Sequence, residues 1–167
     1  ASDVYKRQKK EFIELVELRT KLASVFPFLT ALCYSFILFK EINLLNMSLF
    51  FIGMLSFDMA TTVMNNLMDY VKAKNSDYRD HHNVIGTSSL TVKKAWQVFG
   101  ILFAVAAVFG IILVARTNIL LLMVGALCFF IGVFYTFGPI PISRMPLGEV
   151  WSGFTMGFGI FWITVFL

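Results

Sequence analysis

Five apolar windows, residues 22–39, 44–64, 95–115, 119–137 and 150–167, each 18 to 21 residues long, hold one charged side chain between them, Asp58. A helix needs about 20 apolar residues to cross a bilayer core. Backbone polar groups in lipid must be satisfied within the spanning structure, which leaves helices or closed barrels. Barrel strands read as alternating segments of about ten residues, and nothing here alternates. The windows predict an all-α, multi-span transmembrane helical bundle with about five spans. The composition, 58% apolar and 14% charged, excludes a disordered chain and an ordinary soluble domain.

Cys33 and Cys128 lie inside apolar windows, so packing positions are expected rather than a disulfide framework or a thiolate metal site. Ala1–Gln8 reads as the translation of a sequencing-library transposon adaptor. The expectation is that residues 1–8 are adaptor-encoded and that 9–167 are part of a longer membrane domain.

Charge placement sets orientation. Beyond Gln8, ten of 12 Lys and Arg residues fall on one side: Lys9, Lys10, Arg19, Lys21, Lys72, Lys74, Arg79, Lys93, Lys94 and Arg144. Lys40 and Arg116 fall on the other. The positive-inside rule then predicts a multi-pass protein of the cell membrane with its N-terminus and the 72–94 and 138–148 segments cytoplasmic. Topology accounts for the net charge of +4 without a nucleic-acid partner. Ahead of the first span, Phe12, Leu15 and Val16 share a helical face, which fits an interfacial helix or a cytoplasmic extension of the span. Pro27 falls in the first turns of that span, where a missing N–H costs least.

The second span carries Asp58, Thr62, Asn65, Asp69 and Lys72 at steps of four and three residues, within an arc of ~80°. A polar stripe is costly against lipid and is expected to form a cavity wall; interhelical hydrogen bonding would account for Thr62 and Asn66. The following segment holds Lys72, Lys74, Asp77, Arg79, Asp80, His81 and His82. Carboxylate and amide oxygens suit Mg²⁺, which takes one or two carboxylates plus phosphates and water, and the basic residues would offset phosphate charge. Adjacent His81 and His82 point about 100° apart and read as solvated residues.

Asn65-Asn66-Leu67-Met68-Asp69 at the cytoplasmic end of a second span resembles the first aspartate-rich motif of the intramembrane aromatic prenyltransferases, the UbiA superfamily. Tyr135-Thr136-Phe137-Gly138-Pro139-Ile140-Pro141, followed by Arg144 and Leu147-Gly148-Glu149, is similar to a loop of the branch that prenylates 1,4-dihydroxy-2-naphthoate. Glu17-Leu18-Arg19-Thr20-Lys21 leading to Pro27 is similar to that branch as well. The resemblance implies a nine-helix fold around a central cavity, of which roughly five helices are present. A second acidic motif would lie on a later loop, beyond residue 167.

The implied reaction is Mg²⁺-dependent transfer of a polyprenyl group from polyprenyl diphosphate to an aromatic acid in the lipid bilayer, 1,4-dihydroxy-2-naphthoate giving demethylmenaquinone. Asn65, Asp69 and Asp77 would be catalytic. Asp69, Asp77 and Asp80 are the implied Mg²⁺ ligands, and Lys72, Arg79, Tyr135, Arg144 and Arg19 the diphosphate contacts. The superfamily's usual acid four residues after Asp69 is replaced by Ala73, leaving Asp77 and Asp80 as alternatives: Asp80 is nearer in register if the helix continues, and Asp77 is nearer in sequence. Competing readings are transfer to 4-hydroxybenzoate or to a porphyrin or chlorophyllide acceptor, an ion-coupled carrier using Asp58 and Asp69, and a structural subunit. Simpler roles also exist for Arg144 as a topological anchor and Tyr135 as an interfacial residue, and Gly153 with Gly157 would form a close-packing face.

Overall fold

The computed structural model describes residues 2–73, 76–136 and 148–167. The described part of each apolar window lies in helix; of the five expected spans, four are long and apolar enough to cross a membrane among the described residues, and the 119–137 window gives a shorter apolar helix. Helix α1 (Ser2–Leu15) and a 3₁₀ turn (Leu18–Lys21) precede α2 (Leu22–Phe39), and α3 (Leu44–Val71) returns across the bundle. Two short helices, α4 (Ser76–His81) and α5 (Val84–Thr87), lead into α6 (Val92–Arg116) and α7 (Ile119–Thr136). The last window forms one continuous run from α8 (Gly148–Gly153) through a π-helical stretch (Phe154–Gly159) into α9 (Ile160–Phe166). The molecule is an all-α membrane bundle, and its principal seams join α3 to α6 and α2 to α9.

At 28 residues, α3 is far longer than α2, which has 18. Its final turns leave the apolar layer and carry a small core of their own: Val63, Met64, Leu67 and Met68 pack with Leu15, Val16, Ile85 and Ala95. This differs from both expectations for the segment ahead of the first span, an interfacial helix and a straight extension of that span. The helix stops at Leu15, the chain reverses at Glu17 with a left-handed φ of 48°, and Leu15 and Val16 are buried against protein while Phe12 stays exposed. Asn66 holds this arrangement, its Nδ2 donating to Leu15 O and Glu17 Oε1 at 3.1 Å each. Asn83 Nδ2 in turn donates to Asn66 O at 2.9 Å.

Other packing expectations are also corrected. A Cβ at Gly153 or Gly157 would meet nothing within 4 Å among the described residues, so these glycines do not form a close-packing face. The tight approaches are at Gly53, against Phe109, and Gly132, against Phe57. Cys33 is exposed rather than packed, and Cys128 is half-buried. Pro27 is in the first two turns of α2, as expected, but far enough in that its missing N–H leaves the Ala23 carbonyl one turn earlier without that donor.

Candidate functional site

Between α3, α6, α7, the 3₁₀ turn, the start of α2 and the α8–α9 run lies a half-open cavity of about 910 Å³. Its deep end is closed by Leu113, Leu121 and Ile163, which pack together. Phe50, Phe57, Phe103 and Phe129 line its length, and its polar residues include Glu17, Thr20, Lys21, Ser24, Asp58, Thr61, Thr62, Asn65 and Tyr135. Thr20, Lys21 and Ser24 come from the turn and the start of α2, Tyr135 from the end of α7, and Asp58 to Asn65 from the second half of α3. The cavity is therefore an apolar slot with a polar mouth.

The inner limit of the polar part, two turns deeper along α3 than Asn65, is organised by a buried charge pair. Lys21 Nζ lies 2.7 Å from Asp58 Oδ1 and donates to Thr62 Oγ1 at 2.6 Å. Ser24 Oγ donates to Asp58 Oδ2 at 2.6 Å. Both charged side chains are at most 10% exposed. Such a pair is tolerated in a low-dielectric layer only when its remaining hydrogen-bonding capacity is met, and Thr62 and Ser24 meet it. Asp58 thus belongs to a lock between α2 and α3. In the sequence Lys21 reads as a topological charge and as part of the Glu17–Lys21 resemblance; its i, i+3 spacing to Ser24, which puts both on one side of the start of the first span, was the available signal of a shared polar contact.

The polar stripe on α3 is divided. Asp58, Thr62 and Asn65 line the cavity, whereas Asp69 and Lys72 lie one and two turns beyond its wall. Asn65 and Asp69 are both half-buried, and Lys72 is exposed. Because α3 ends at Val71 and α4 begins at Ser76, one helical register does not run from Asp69 to Asp80, and the preference for Asp80 on that ground falls. Asp77 and Asp80 sit on α4 and are exposed. Asp77 Oδ1 is 3.9 Å from His81 Nε2, and both histidines face solvent. Asp69, Lys72, Asp77 and Asp80 are each engaged by neighbours.

Tyr135, near the end of α7, lines the cavity and is half-buried. Arg19 is exposed on the 3₁₀ turn, whose Thr20 and Lys21 reach the cavity. The backbone of Arg79 lies in α4. Arg144 and the rest of 137–147, which carry most of the Tyr-Thr-Phe-Gly-Pro-Ile-Pro segment, lie outside the described residues.

Among the described residues no three His, Cys, Asp or Glu side chains gather as a metal cage. Mg²⁺ held jointly with a diphosphate does not need one. The donor chemistry fits that mode: Asp69 with Asp77 or Asp80 would supply carboxylate oxygens.

The chain belongs to the UbiA prenyltransferase family, whose pattern matches residues 24–167. It is 27% identical over 150 residues to 1,4-dihydroxy-2-naphthoate octaprenyltransferase of Bacillus subtilis (strain 168), an alignment covering 86% of this chain and 46% of that protein. The chain thus spans about half the length of the curated relative it matches. No solved structure matches it.

Proposed function

We propose that this chain supplies part of an intramembrane prenyltransferase that moves a polyprenyl group from its diphosphate to an aromatic acid, with 1,4-dihydroxy-2-naphthoate as the acceptor. The reading rests on one observation: an apolar slot of about 910 Å³ whose polar mouth contains Asn65 and Tyr135, with Asp69 one turn beyond. A polyprenyl diphosphate has the same division, a long apolar tail ending in a highly charged head. The name of the relative supports the naphthoate acceptor.

In this reading the diphosphate sits at the mouth, beside the half-buried Asn65 and Asp69. Bound Mg²⁺ would neutralise charge on the departing diphosphate. Asn65 fixes the orientation of the head, Tyr135 donates its hydroxyl proton toward a phosphate oxygen, and Arg19, Lys72, Arg79 and Arg144 add positive charge. These groups act most strongly where charge grows as the allylic C–O bond breaks. The ring carbon of the acceptor attacks the allylic carbon, its carboxylate leaves as carbon dioxide, and the prenylated ring remains at the hydroquinone level. The phenylalanine-lined slot holds the tail and keeps water from the allylic centre.

The carrier reading is weakened by two features. Asp58 is committed to Lys21 and Ser24, and α3 runs without interruption for 28 residues, whereas carriers place broken helices at their ion sites. The test is to incubate membranes containing the full-length protein with labelled polyprenyl diphosphate, with and without Mg²⁺, and with naphthoate, 4-hydroxybenzoate and porphyrin acceptors. Mg²⁺-dependent labelling of the naphthoate is expected. Labelling of another acceptor would reassign the substrate, and transfer to none would reject the function.

A further inference from the structure

Gly132 on α7 faces Phe57 on α3 so closely that a Cβ at this glycine would lie 2.5 Å from Phe57 Cζ, 2.8 Å from Cε1 and 3.3 Å from Thr61 Cγ2. No real Cβ tolerates the first two distances, so the ring occupies space that only glycine leaves open. Phe57 is stacked on Phe129, with centroids 4.2 Å apart and planes at 17°. Phe129 meets Phe103 edge-on at 5.2 Å. All four residues line the cavity. With Phe129 on one side and α7 behind it, the direction left for the Phe57 ring is the slot itself.

The position along the slot gives this contact a consequence. Phe57 lies eight residues before Asn65, ~12 Å deeper along α3, and ~18 Å from Asp69. The cavity continues past it to Phe50, Leu113 and Leu121. We infer that the Gly132–Phe57 contact sets the aperture through which the distal part of a prenyl chain passes, and so determines which chain lengths the site accepts. This deepens, and rests on, the prenyltransferase reading above. A short chain seated at the mouth ends before the aperture, while a long one has to thread it. The missing Cβ at Gly132 lets Phe57 lie back against α7 and holds the aperture open.

The experiment compares geranyl and octaprenyl diphosphate as donors for the full-length protein and measures kcat/KM for each. In Gly132→Ala the ring is pushed into the slot, and the octaprenyl-to-geranyl ratio is expected to fall about tenfold, the scale of a modest overpacking penalty. Adding Phe57→Ala to that variant removes the displaced ring and is expected to restore the ratio. Phe57→Leu alone, which leaves Gly132 untouched and covers the case in which Gly132→Ala does not fold, is expected to raise it. An equal fall for both donors in Gly132→Ala, no rescue by Phe57→Ala, or an unchanged ratio in Phe57→Leu would overturn the inference while leaving the prenyltransferase reading intact. Absence of transfer from either donor in the unaltered protein would remove that reading, and the inference with it.

Discussion

Lys21 and Asp58, 37 residues apart in the chain, form a buried ion pair at 2.7 Å that fastens the start of α2 to the middle of α3. Breaking one side leaves an uncompensated charge in a dry site, which typically costs about 3–5 kcal/mol. Lys21→Met and Asp58→Leu are each expected to lower thermal stability in detergent strongly. The double variant is expected to lose less than the sum of the two, because neither charge is then stranded. Additive losses in a thermal double-mutant cycle would show that the two groups are not coupled.

The division of the α3 stripe predicts different defects for its two acids. Asp69→Asn keeps the shape and removes the charge next to the proposed diphosphate; loss of such a contact costs on the order of 10²-fold in kcat. Asp58→Asn, about three turns deeper, is expected to act chiefly on stability. Paired measurements of Mg²⁺-dependent turnover and thermal unfolding on the full-length protein separate the two effects. Normal turnover in Asp69→Asn would exclude that residue from the site.

The helical character of the apolar windows was legible because hydrocarbon tolerates few charges, whereas the count of full spans, four among the described residues with one shorter apolar helix, and the run of α3 on to Val71 were not. The small core on the end of α3 was less legible. Leu15 and Val16 belong to a segment whose local pattern fits an interfacial helix, and only the reversal at Glu17 and the Asn66 hydrogen bonds turn them onto α3. Asn66, whose place on a span suits an interhelical hydrogen bond, joins three segments. At the site, the i, i+3 and i+4 spacing placed Asp58, Thr62 and Asn65 on one wall. Where that wall ends depends on the neighbouring helices, which no spacing within α3 encodes. Gly132 carried no signal, since its meaning lies in a phenylalanine 75 positions earlier in the chain.

Glu11 gives the N-terminal segment a pH dependence. Its Oε1 accepts from Ser89 Oγ at 2.7 Å and Ser89 N at 3.1 Å, and from Arg7 Nε at 3.1 Å. These bonds, those from Ser89 foremost, hold its carboxyl below the ordinary glutamate range. A depressed folded-state value means the tether is fully present above the unfolded glutamate value and is lost as pH falls through the folded one. Amide exchange at Ser89 is expected to accelerate on acidification below the usual glutamate range, beyond the intrinsic pH trend. Glu11→Gln should remove that excess, and an unchanged excess in the variant would assign it to another group.

Orientation can be tested independently of activity. Ten of the 12 basic residues beyond Gln8 lie on one side of the windows, and the positive-inside rule places that side in the cytoplasm. The fold puts the start of α2, the end of α3 and the start of α6 at that end, and joins α6 to α3 at the other through Arg116 Nε and Asn46 Oδ1 at 3.0 Å. Lys93, on the first turn of α6, and Glu41, in the α2–α3 connection, are both exposed and lie at opposite ends of the bundle. With Cys33 and Cys128 replaced by serine, a cysteine at position 93 should react with a membrane-impermeant thiol reagent only after the cells are opened. A cysteine at position 41 should react in intact cells. The reverse pattern would invert the topology and put the cavity mouth, with Asn65 and Tyr135, on the outer face, where a cytoplasmic prenyl diphosphate could not reach it.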